Sequence, residues 1–100
     1  MNNSPENRQI LRWGIIGTGR IANTFASDIK HVKNAMLYGV GARQSSSATT
    51  FAAKYSIDNA YGSYAALLAD PNVDAIYIAT PHTLHKEQSI AAMLSGKHVL

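Results

Sequence analysis

Apolar residues recur along the chain in two alternating patterns. Ile10 to Ile16 is a short apolar run that ends at Gly17, the signature of a buried strand. Ala22, Phe25, Ala26 and Ile29 then recur at helical spacing and give one face of a helix. Ala35 to Ala42, with Met36, Leu37, Tyr38 and Val40, reads as a second strand. Ala48, Phe51, Ala52 and Tyr55 form a second helical face, with Ser45 to Ser47 as candidate N-caps. Asp58 to Tyr61 is a short extended piece. Ser63 caps a brief helix through Leu67 and Leu68, which Asp70-Pro71-Asn72 stops. Ala75 to Ala79 is apolar without alternation, as in strands covered on both faces. Thr80-Pro81 opens a longer helix with Pro in its first turn. Gly96 ends that helix, and His98-Val99-Leu100 starts another strand.

Alternation of this kind predicts an α/β fold, a doubly wound parallel sheet in three layers with right-handed crossovers. The polar stretch Met1 to Gln9 reads as a loose, disordered tail, leaving residues 10–100 as one domain. No run reaches the roughly 18 apolar residues of a membrane helix, and the N-terminus has no secretory h-region. A cytoplasmic location is the simplest expectation.

Composition changes the picture in two respects. The chain has no cysteine, which removes disulfides, thiol nucleophiles and thiolate metal sites. Its net charge is +3, from nine Lys and Arg against six Asp and Glu, and the basic residues are scattered. That argues against nucleic acid and for small anionic ligands.

The chemistry concentrates in three places. Gly17-Thr18-Gly19-Arg20-Ile21-Ala22 follows a strand and opens a helix, the context in which G-x-G-x-x-A is a dinucleotide fingerprint. Gly17 makes the tight turn, Gly19 admits the pyrophosphate to the backbone, and Ala22 lets helix and strand pack closely. A methyltransferase loop is a competing reading. At the end of the second strand, where an NAD site places a carboxylate on the ribose, no Asp or Glu occurs between Asp28 and Asp58. Arg43 stands there instead, followed by serines, which favours NADP and leaves NAD as an alternative. A solvated loop arginine is the plainer account. Thr80, Pro81, His82 and His85 follow the carboxyl end of a central strand, where ligands of open α/β sheets sit. They are candidates for the cofactor's ribose or nicotinamide. Two histidines without a third ligand are weak evidence for a metal. His31 reads as a helix-end dipole partner, His98 as structural, and Trp13 and the tyrosines as packing.

Together with Ala60-Tyr61-Gly62-Ser63-Tyr64, Asp70-Pro71-Asn72-Val73-Asp74-Ala75-Ile76-Tyr77-Ile78-Ala79-Thr80-Pro81, His85 and Gly96-Lys97-His98-Val99-Leu100, the fingerprint resembles the N-terminal half of the glucose–fructose oxidoreductase/inositol dehydrogenase family, in its dihydrodiol and xylose dehydrogenase branch. The resemblance implies a Rossmann domain of a pyridine-nucleotide oxidoreductase acting on sugars, polyols or cyclic diols. It also implies that Thr80, Pro81, His82 and His85 border the cofactor. The family's Glu-Lys-Pro motif, whose lysine donates a proton, would follow Leu100, and the substrate domain would follow that. The expectation is a truncated cofactor half, inactive alone. Its unpaired apolar edge favours self-association, so a homo-oligomer is compatible. A non-catalytic dinucleotide-binding module is the alternative, and a Glu-Lys-Pro continuation would discriminate.

Overall fold

The computed structural model describes residues 10–100, so the tail expected at 1–9 lies outside the described residues. Five parallel strands form one sheet: β1 (Leu11–Ile16), β2 (Ala35–Gly41), β3 (Asn59–Tyr61), β4 (Ala75–Ile78) and β5 (His98–Val99), in the spatial order β3-β2-β1-β4-β5. The helices are α1 (Arg20–Ile29), α2 (Ser45–Tyr55), α3 (Tyr64–Leu68) and α4 (His85–Leu94). No helix among the described residues is long and apolar enough to cross a membrane.

Alternate residues of the strands feed two cores, as a sheet covered on both faces requires. Ile15 and Val40 pack with Ala22 and Ala26 of α1 and with Ala48, Phe51 and Ala52 of α2. Ile16, Ile76 and Ile78 point the other way, to Leu67 of α3 and Ala92 of α4. The result is the three-layer doubly wound arrangement that the alternation predicts. Asp58 to Tyr61, read only as an extended piece, supplies the edge strand β3.

Leu67 is fully buried because the sheet beneath it lacks side chains. A Cβ added at Gly14, Gly39 or Gly41 would stand 3.0, 3.2 or 3.1 Å from a Leu67 carbon. A trough of three glycines in β1 and β2 therefore lets the one-turn helix α3 lie close on the sheet.

Two cap expectations need correction. Ser45 to Ser47 do not cap α2: Gln44, extended at φ −121° and ψ 133°, holds the cap position without a side-chain bond, and the serines form the first turn. The helix starts earlier because Gln44 is already extended and its carbonyl accepts from Ser47 and Ala48. Pro81 does not sit in the first turn of α4. It is extended at ψ 146° and precedes a 3-10 turn, His82–Leu84, before α4 begins at His85. There the His85 Nε2 donates to the Thr80 carbonyl at 2.7 Å, and the Thr80 hydroxyl bonds Gln88. These ties hold the strand end against the helix and require the extra turn. Ser63 does cap α3, accepting from the Ala66 N–H at 3.1 Å.

A polar cluster gathers at the amino ends of β1, β4 and β5, with Tyr61 reaching it from the end of β3. The buried Lys97 ammonium donates to the carbonyls of Asp70 and Val73 at 2.7 and 2.8 Å. The buried Asp74 carboxylate accepts from the Arg12 N–H at 2.8 Å, with the Arg12 guanidinium 3.9 Å away. The Tyr61 hydroxyl donates to the Asp70 carboxylate. Burial and that carboxylate push the Tyr61 hydroxyl well above the usual phenol value. Burial also pushes Asp70 upward, but the bonds from Tyr61 and the Asn72 N–H, with the Lys97 and Arg12 charges, outweigh it and hold the carboxyl below its ordinary value.

Two outcomes follow for stability. Leu67→Ala leaves a cavity over the glycine trough and costs about 2–5 kcal/mol in urea unfolding. The Tyr61–Asp70 pair acts at full strength between about pH 4 and pH 10. Below that window the unfolded carboxylate takes up its proton more readily than the folded one. Above it the unfolded phenol ionises first. The stability gap between wild type and Asp70→Asn, followed by unfolding across pH, narrows below about pH 4.

Candidate functional site

The site is built where β1 and β4, neighbours in the sheet, end side by side. After β1 the chain turns to α1 on one face; after β4 it turns to α4 on the other. This divergence is the switch point at which open α/β sheets bind ligands.

Gly17 has φ +105°, a conformation that glycine adopts freely. Its missing side chain also matters: a Cβ would lie 3.1 Å from the Ala79 carbonyl oxygen and 3.3 Å from Thr80 Cγ2. The loops after β1 and β4 thus touch through this residue. Gly19 is the N-cap of α1, and a Cβ there would meet nothing within 4 Å. The space in front of the helix is open, and the first N–H groups of α1 face it without intrahelical partners. Ala22 is fully buried against the sheet, while Arg20 and Ile21 are exposed at the helix start.

Two clefts converge on this point. One, of about 520 Å³, is lined by Gly17, Thr18, Ala42, Arg43, Gln44, Ser47 and Tyr64. The other, of about 490 Å³ and largely apolar, lies between α3 and α4 and includes Ile16, Arg43, Tyr64, Leu68, Leu84 and Gln88. Arg43 is exposed and lines both. Because the serines do not cap α2, the Ser47 hydroxyl is left to line the first cleft.

The expected residues are therefore not all equivalent. Gly17, Thr18 and Arg43 line one opening, and Gly19 follows Thr18 exposed at the start of α1. Thr80 is buried, and its side chain is committed to Gln88. The His85 ring is turned back to Thr80, whereas Pro81 and His82 are exposed beside it. His82 and His85 stack obliquely, with ring centroids 5.4 Å apart. No group of three metal-ligating side chains occurs among the described residues. Tyr64, Leu68 and Leu84 were not among the site residues expected from the sequence. Their apolar spacing looks like ordinary helix packing, and only the fold turns them toward Arg43.

Gly17 and Gly19 differ in what they tolerate. Gly17→Ala costs about 1–3 kcal/mol from backbone strain alone, before any clash. Gly19→Val changes stability by no more than about 1 kcal/mol. Thermal unfolding of the two variants separates the packed glycine from the open one.

The described residues match a family model over 11–100, for an oxidoreductase family with an NAD-binding Rossmann fold. The trans-1,2-dihydrobenzene-1,2-diol dehydrogenase of Mus musculus is 42% identical over 92 residues, which cover 90% of this chain and 28% of that protein. The D-xylose 1-dehydrogenase (NADP(+)) of Hypocrea jecorina is 41% identical over 106 residues, 94% of this chain and 27% of that one. A 3-ketoreductase from Actinomadura kijaniata, solved in complex with NADP, superimposes with a TM-score of 0.86 at 29% identity, over 91% of this chain and 29% of that one. The chain thus spans just over a quarter of the length of these relatives. The match over residues 11–100 and the architecture around Gly17 agree: the chain belongs to the NAD(P)-binding oxidoreductase family of glucose–fructose oxidoreductase and inositol dehydrogenase.

Proposed function

We propose that residues 10–100 are the cofactor domain of an oxidoreductase that takes NADP in preference to NAD. Its substrate would be a small sugar, polyol or cyclic diol, held by a part of the protein beyond this domain. The observation that carries the reading is the pairing of an open glycine N-cap at the switch point with Arg43 at the mouth of both adjoining clefts.

The residues present fit a dinucleotide. A pyrophosphate would lie over Gly19 and the start of α1, where the helix dipole and free N–H groups favour negative charge. The adenosine ribose would enter the polar cleft along Thr18, Arg43 and Ser47. The apolar gap between Tyr64, Leu68 and Leu84 suits the flat adenine. Thr80, Pro81 and His82 would border the nicotinamide end, with His85 holding the Thr80 carbonyl in place. When bound, the nicotinamide supplies hydride transfer to or from a carbinol carbon. The chain's own contribution is to bind and orient it. The relatives' names, dehydrogenases of diols and of xylose, support an enzyme over a non-catalytic dinucleotide module.

Cofactor choice rests on Arg43. A carboxylate at this place would repel a 2′-phosphate; a guanidinium grips it with paired hydrogen bonds. Such a bond is worth about 1.5–3 kcal/mol, and the exposure of Arg43 places it at the lower end. Titration with NADPH and NADH tests this. Arg43→Ala weakens NADPH by about tenfold and leaves NADH nearly unchanged. Equal loss for both would overturn the 2′-phosphate assignment. Gly19→Val abolishes binding of both, since a branched side chain fills the space above the helix; undiminished binding by that variant would refute the dinucleotide reading.

A further inference from the structure

Asn23, one turn into α1, is not one of the fingerprint positions, though it lines a cleft beside Thr18 and Lys54. Its side chain is nonetheless the most heavily bonded group near the glycine loop. The Nδ2 donates to the Gly19 carbonyl at 2.8 Å and reaches the Thr18 carbonyl at 3.4 Å. The backbone N–H of Asn23 donates to the same Gly19 oxygen at 3.0 Å. On its other side the Oδ1 accepts from Lys54 Nζ at 2.9 Å and from the Tyr55 hydroxyl. Both bracing residues come from the end of α2, more than 30 positions away in the chain.

We propose that Asn23 is a positioning residue of the dinucleotide site: its carboxamide, braced from α2 by Tyr55 and Lys54, aims the peptide N–H groups of Gly19 and Arg20 at the pyrophosphate. This rests on the cofactor reading above and adds to it the element that sets the loop's geometry.

The argument is one of peptide geometry. A trans peptide is planar, and its N–H points opposite to its C=O. The Thr18 carbonyl shares a plane with the Gly19 N–H, and the Gly19 carbonyl with the Arg20 N–H. Holding both carbonyls back toward the body of α1 turns both N–H groups out of its amino end, from where an anion approaches. The Gly19 carbonyl is already held by the Asn23 N–H, so the carboxamide reinforces that plane. The Thr18–Gly19 plane adjoins a glycine, where few side-chain clashes restrict rotation, and the carboxamide reaches its carbonyl as well. A carboxamide carries a donor and an acceptor at one tip, so it holds the carbonyls while α2 holds it. Asparagine is a poor choice on helix propensity alone. Lys54 also brings its positive charge to the cleft of about 410 Å³ that it lines with Thr18, Ser46 and Ser47.

The test separates positioning from plain support by using two probes. NADPH carries both a pyrophosphate and a 2′-phosphate; adenosine 2′-phosphate carries only the second. Calorimetric titrations compare wild type, Asn23→Ala, Tyr55→Phe and Arg43→Ala, with circular dichroism and thermal midpoints recorded for each. Alanine is the best helix former, so α1 persists in the first variant. Asn23→Ala weakens NADPH by about tenfold and adenosine 2′-phosphate by less than about twofold. Tyr55→Phe, which retains the ring contact with Phe51, weakens NADPH by about threefold with the same selectivity and decides the matter if the alanine variant does not fold. Arg43→Ala weakens both probes. Equal loss of both probes in Asn23→Ala and Tyr55→Phe would make Asn23 a general strut and overturn the proposal, as would unchanged NADPH affinity. Wild type that binds neither NADPH nor NADH refutes the cofactor reading itself, and the positioning role falls with it.

Discussion

Two parallel strands that lie side by side but send their chains to opposite faces leave a gap between their carboxyl ends. β1 and β4 are such a pair, and most of the site follows from that divergence. The apolar runs of both strands must be covered on two faces, so one helix has to leave upward and the other downward. The gap is therefore a by-product of core burial. Its width is set by Gly17, whose bare α-carbon lets the first loop rest on the Ala79–Thr80 backbone.

Around this gap, groups are either committed or open. Thr80, Gln88 and His85 satisfy one another and hold the β4 loop in one shape. Gly19 and Arg43 are open, and the free N–H groups of α1 lie between them. A ligand thus meets a surface whose supporting bonds are already made, so little ordering cost falls on binding.

Much of the fold could be read from the chain because buried parallel strands are apolar runs of distinctive length. The glycine motif then falls at a strand–helix junction, the one context that gives it meaning. Element ends were read less well. Gln44 displaced three serines from the cap of α2 because a backbone already extended at 44 starts the helix there. Pro81 was displaced from α4 because the ties between Thr80, His85 and Gln88 demanded a 3-10 turn. Of the site proposed for the cofactor, Gly17, Gly19 and Arg43 were legible, since turn geometry and charge leave local marks. Tyr64, Leu84 and the bracing of Asn23 by Tyr55 and Lys54 were not. The roles proposed for them rest on contacts between elements distant in sequence, and each residue type alone suggests only packing or a solvated face.

Arg12, Asp74 and Lys97 sit at the far end of the sheet from the residues proposed to hold the cofactor, and Tyr61 reaches down from the end of β3 to join them through Asp70. Their bonds pin the amino ends of β1, β4 and β5, so the register of the strands is set from below. Exposed positions of the loops above, such as Arg43, can then change without loosening the scaffold, whereas the packed Gly17 cannot. Such a separation suits divergence: a lineage can exchange one ligand preference for another at the exposed upper rim, while the lower clasp keeps the strands of the sheet from slipping.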